Sequence, residues 1–127
     1  MSEFETMLIY YFLFIFKNEN YDEALEYFQK EVSADAKNGY AYSWMALIYQ
    51  SKEEYGMALT SVNNALKYIP KKDASFLAAT YIIRADTYLG IKDTLMAIND
   101  YGNAIRINPS SAVMFTAFSL VCTTFVM

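Results

Sequence analysis

The chain has 127 residues, 55% hydrophobic and 17% aromatic, with four glycines and two prolines; this is enough to fill the core of one domain and argues against a disordered or loop-rich all-β chain. A net charge of −4 without any dense basic stretch excludes the phosphate neutralisation that nucleic acid requires of a partner. The absence of histidine removes His-based triads and His metal sites, and a single cysteine, Cys122, removes internal disulfides and cysteine metal cages.

Residues 1–16, MSEFETMLIYYFLFIF, carry two glutamates, no basic charge and no small-residue cleavage site, so they do not have the form of a signal peptide. Residues 8–16 predict a first helix, apolar all round, ended by Lys17-Asn18-Glu19-Asn20. Tyr21, Ala24 and Phe28 mark a second helix to Val32, with Glu26 and Lys30 spaced for a solvated i,i+4 pair. Tyr42, Met45, Ala46 and Tyr49 recur at helical steps. After the polar break 50–54, Tyr55, Ala58, Leu59, Val62, Ala65 and Leu66 do the same. Pro70 stops that helix, because proline lacks the N–H and forces its predecessor out of helical geometry. Tyr81, Ala85 and Tyr88 lead to a break at 90–93, where Gly90 is expected as a left-handed C-cap. Ala97, Ile98, Tyr101, Ala104 and Ile105 form the next helix, stopped by Pro109. Residues 112–127 are uncharged and predict a terminal apolar helix.

The chain is written in units. NNALKYIP at 63–70 returns as GNAIRINP at 102–109. By the same step, Tyr55, Ala58, Val62, Ala65 and Pro70 reappear as Thr94, Ala97, Tyr101, Ala104 and Pro109. A shorter step leads from Tyr21, Ala24 and Phe28 to Tyr55, Ala58 and Val62. Three helix pairs follow, at about 5–38, 39–72 and 78–111, within a single domain over 1–127. Asp73 to Leu77 are the surplus between the second and third, and they should lengthen the start of the third pair. Small residues such as Ala46, Ala58, Ala85 and Ala97 let helices approach, and tyrosines fill the holes between layers.

This pattern resembles the tetratricopeptide repeat, a helix-turn-helix unit of about 34 residues. The likeness runs through Tyr42, Met45, Ala46, Tyr49, Tyr55, Ala58, Val62, Ala65 and Pro70, and through Tyr81, Arg84, Ala85, Tyr88, Ala97, Tyr101, Ala104 and Pro109. The first unit matches only in its second half, with Glu31 where alanine is usual, and Thr94 departs from the usual tyrosine. The resemblance implies an all-α, right-handed superhelix of about three helix pairs plus the apolar terminal helix. It implies a concave groove, lined by the first helix of each pair, that binds a peptide or partner helix. Carried over by register, the groove residues are Ile9, Leu13 and Phe16, then Tyr40, Ser43, Leu47 and Gln50, then Ala79, Ile82, Asp86 and Leu89. One subclass of the family captures chaperone carboxyl termini with a basic cradle; here the matching places hold Ile9, Leu13, Trp44, Ala79 and Ile83, so that activity is not expected.

No phosphate-binding glycine loop, nucleophile elbow or converging carboxylate pair occurs. Trp44 is expected to pack between helices, and Cys122, without a basic neighbour, to be an inert thiol. The expectation is therefore a protein-interaction module with no catalysis and no cofactor or metal. Two alternatives stand: a scaffold that forms homo-oligomers through residues 112–127, and an accessory repeat domain of a larger enzyme. The apolar runs are shorter than the roughly 20 residues of a spanning helix, which makes the membrane an unlikely partner; the cytoplasm is the expected compartment, with membrane association as the alternative.

Overall fold

A computed structural model describes residues 21–110. The expected first helix with Ile9, Leu13 and Phe16, and the expected terminal helix with Cys122, lie outside the described residues. Five helices follow in order: α1 Tyr21–Ala34, α2 Gly39–Ser51, α3 Tyr55–Tyr68, α4 Ala74–Gly90 and α5 Thr94–Ile107. No strand occurs among the described residues. α2 packs chiefly on α3, and α4 on α5, so two hairpins form the body. α1 lies against α2, while α4 touches both α3 and α2, which joins the hairpins into one stack. The architecture is an all-α helical repeat.

The step that carries Tyr55 onto Thr94 in the sequence is reproduced in the backbone. It takes Gly39 and Ser51, the ends of α2, onto Ala78 and Gly90 in α4. It takes Tyr55 and Tyr68, the ends of α3, onto Thr94 and Ile107, the ends of α5. α4 has 17 residues against 13 in α2, so the surplus forms one added turn at 74–77. Asp73 sits at its N-cap, and its carbonyl accepts from Leu77 N at 2.9 Å. Ile69 and Asn108, each before a proline, are extended, which ends α3 and α5 as the proline rule requires.

The two hairpin turns share their backbone hydrogen bonds. Glu53 N donates to Gln50 O and Glu54 N to Tyr49 O, at 3.0 and 2.8 Å. Lys92 N donates to Leu89 O and Asp93 N to Tyr88 O, at 3.0 and 2.8 Å. These are Schellman motifs with Glu53 and Lys92 in the left-handed region, at φ 62° and 66°. The expectation for Gly90 is thereby corrected. It is the last helical residue of α4 and has no positive φ. Its role is steric: a Cβ there would overlap the Tyr55 ring, with Cδ1 2.9 Å away and Cε1 and Cζ closer still.

The main core joins Leu47, Val62, Ala65, Ile69, Phe76, Leu77, Ile82, Ile83 and Ala104. Ala46, Ala58, Ala65, Ala78, Ala85, Ala97 and Ala104 are fully buried, as expected of close helix crossings. Met45, Tyr49 and Ala58 form a second cluster that receives Leu25, Phe28 and Val32 from α1. Trp44 does pack between helices, with its ring stacked on Phe28 at 5.8 Å. Glu26 and Lys30 pair at 3.4 Å on the exposed side of α1, and Lys52 binds Asp22 at 2.9 Å across the first two helices.

Candidate functional site

Eight of the groove residues expected from register lie on α2 and α4, and they do not share one environment. Ser43, Leu47, Ala79 and Ile82 are at most 3% exposed. Leu47, Ala79 and Ile82 belong to the main core, and the Ser43 and Thr80 hydroxyls are hydrogen-bonded at 2.9 Å between α2 and α4. These four hold the stack together; a charge placed at Leu47 or Ile82 would disrupt the fold before it reached any partner. Tyr40, Gln50 and Asp86 are half-buried, and Leu89 is 46% exposed. The accessible part of this face is therefore at the C-terminal ends of α2 and α4.

Tyr40 is tied down. Its hydroxyl donates to the Asp73 carboxylate, and its ring meets Phe76 edge-on at 4.9 Å. Asp86 accepts a hydrogen bond from the Tyr101 hydroxyl of α5. Burial pushes the Asp86 carboxyl up to about 6, against the opposing pull of that hydrogen bond. Burial and the neighbouring carboxylate raise Tyr101 in turn. Asp86 and Tyr101 occupy the register positions of Leu47 and Val62 one unit earlier, so the third unit has a polar tie where the second has an apolar contact.

Register reasoning did not find the strongest polar tie. Arg84 Nε and Nη2 donate to the two carboxylate oxygens of Asp100 at 2.7 and 2.8 Å, and Nη1 donates to Asn63 Oδ1 at 3.0 Å. The Asp100 side chain is 0% exposed and that of Arg84 is 19% exposed. One guanidinium thus joins α4 to α5 and α3. The available signal was a pair of opposite charges, Arg84 and Asp100, at positions that hold Met45 and Ser61 in the second unit.

Exposed apolar side chains gather in the third unit. Leu89, Ile91, Leu95, Met96, Ile98, Ile105 and Ile107 stand out from it, against Tyr27 and Met57 elsewhere among the described residues. Leu95 is 82% exposed and Ile98 is 62% exposed. No cluster of three metal-binding side chains occurs among the described residues, and none of their helices is long and apolar enough to cross a membrane. Residues 78–111 match the family model described as tetratricopeptide repeat. No curated protein matches the chain.

Proposed function

We propose that this chain, whose residues 78–111 match the tetratricopeptide repeat model, is a protein–protein interaction module that seats a peptide or partner helix and does no chemistry. Its contact surface begins at the C-terminal ends of α2 and α4, with Gln50 and Leu89, and continues over Ile91 and Leu95 of the α4/α5 hairpin. One observation carries this reading. Large apolar residues are exposed together at the tip of that hairpin, whereas the rest of the predicted groove on α2 and α4 is largely buried. Such a surface suits the apolar side of an amphipathic helix, with Gln50 at its edge for polar contact.

The test is affinity capture with two baits, the native chain and Leu89→Glu/Leu95→Glu. Both substituted positions are exposed, so the variant should melt within a few degrees of the native chain. A protein retained by the native chain and lost by the variant supports the surface. Equal retention by both moves the contact elsewhere.

A further inference from the structure

The helix ends sort into two edges. Gly39 meets Tyr68 and Ile69, the Tyr40 hydroxyl donates to Asp73, and Asn108 Nδ2 donates to Ser75 Oγ at 3.1 Å. The loops before α2 and α4 and the ends of α3 and α5 therefore share one edge. Gly90 against Tyr55, and Lys52 on Asp22, place the two hairpin turns and the start of α1 at the other. The charges follow the same division. The first edge carries Lys37, Lys67, Lys71, Lys72 and Arg106, all exposed. Its acids are Glu31, Asp35 and Asp73; the last two already accept from the Lys37 N–H at 3.0 Å and from Tyr40. The other edge carries Asp22, Glu23, Glu53, Glu54 and Asp93, against Lys52 and Lys92.

Most of these charges serve helix ends. The acids stand at the N-terminal ends of α1, α3 and α5, where the helix dipole favours them. Lys67 and Arg106, in the last turns of α3 and α5, suit those helices likewise. The loop lysines do not. Lys37 and Lys72 stand just before Asn38 and Asp73, the N-caps of α2 and α4, with Lys71 beside Lys72, and positive charge there opposes the dipole. None of the five basic groups is in an ion pair among the described residues. The helices gain nothing from the three loop lysines, yet the fold gathers them beside Lys67 and Arg106.

We infer that this edge binds an acidic segment of another protein, an extended run of Asp and Glu laid across the loops from Lys37 to Arg106. About eight extended residues, at roughly 3.3 Å each, span three helix spacings of about 9 Å. Leu89, Ile91 and Leu95 stand at the opposite edge, so a bilayer could not take up the apolar cluster and the basic groups together. Among the described residues this edge exposes no aromatic ring on which a nucleic-acid base could stack. The contact is separate from the apolar surface proposed above, which lies at the other edge.

The test is fluorescence anisotropy of a labelled octaglutamate peptide. The native chain should bind it at low salt and release it as salt is raised. Lys71→Glu/Lys72→Glu should weaken binding about tenfold or more. Both lysines are exposed loop residues, so this variant should melt within a few degrees of the native chain. Lys52→Glu/Lys92→Glu makes the same change in net charge at the other edge and should bind as the native chain does. Leu89→Glu/Leu95→Glu should also retain the peptide, which separates this contact from the apolar one. No binding by the native chain at low salt overturns the inference, and so does equal weakening by the two lysine pairs. Phosphatidylserine vesicles or a single-stranded oligonucleotide bound in preference to the peptide would give the edge to a membrane or to nucleic acid, and overturn it too. If Lys71→Glu/Lys72→Glu melts early, Lys71→Gln/Lys72→Gln decides. It should lose about threefold in affinity, and an unchanged affinity overturns the inference.

Discussion

Arg84 and Asp100 form a bidentate pair with a fully buried carboxylate, at 2.7 and 2.8 Å, across the α4/α5 hairpin. The preceding hairpin places Met45 and Ser61 at the same two positions. The repeat thus contains its own comparison between an ionic and a neutral solution to one packing problem.

Arg84→Met alone should destabilise the fold by about 3 kcal/mol or more, because Asp100 is left buried and unpaired. The double substitution Arg84→Met/Asp100→Ser, which copies the second unit, should recover most of that loss. Urea denaturation of the two variants and the native chain measures both steps. A double variant no better than Arg84→Met would show that the pair contributes through its shape and not through its charge.

Asp86 should make stability fall as pH rises. Its carboxyl is raised from an ordinary value of 3.8 to about 6 in the fold, so between these values the folded chain binds more protons than the unfolded chain. Its contribution is fully present below pH 4 and is lost as pH passes 6, by up to about 3 kcal/mol. Asp86→Asn lacks this slope. The difference in unfolding free energy between variant and native chain, followed from pH 4 to pH 7, should move in favour of the variant. A flat difference would mean that the carboxyl titrates normally.

Gly90→Ala and Gly102→Ala should act in opposite directions. At Gly90 the new methyl meets the Tyr55 ring, and a cost of about 1–3 kcal/mol is expected. At Gly102, within α5, nothing lies within 4 Å of the new Cβ, so alanine should add about 0.5–1 kcal/mol. Tyr55→Leu should relieve the Gly90→Ala variant if the ring is the obstacle. Melting temperatures of the three variants check the assignment.

Glu53→Gly and Lys92→Gly should each stabilise the chain by up to about 1 kcal/mol. Both residues sit at positive φ, where a side chain is strained and glycine is not. Equal gains at the two sites would match the shared backbone hydrogen bonds of the two turns. A loss at either site would mean that its side chain makes a contact worth more than the strain.

The boundaries of the described helices were legible because they rest on local chemistry: small and aromatic residues at helical spacing inside, prolines after the ends of α3 and α5, polar residues in the turns. The added turn of α4 was legible because a displacement in register can be counted. Gly90 was misread because glycine near a helix end has two uses, and only the position of the Tyr55 ring separates them. Ser43, Leu47, Ala79 and Ile82 show the limit of register in another way. Register assigns a residue to a side of a helix, but the depth to which neighbouring helices cover that side depends on their spacing. The bond between Arg84 and Asp100 was hidden for a related reason: a turn of the hairpin separates the partners, and no local pattern joins them.

The added turn at 74–77 has a consequence for how interchangeable these units are. α4 exceeds α2 by one turn, about 6 Å of helix. Asp73, just before that excess, holds the Tyr40 hydroxyl of the earlier hairpin. The surplus is therefore a fastener with one fixed mate. Cutting it out to restore an even spacing would remove the fastener, and exchanging the two hairpins would present it to the wrong neighbour. The chain is periodic in its pattern, yet its hairpins are not spare parts for one another.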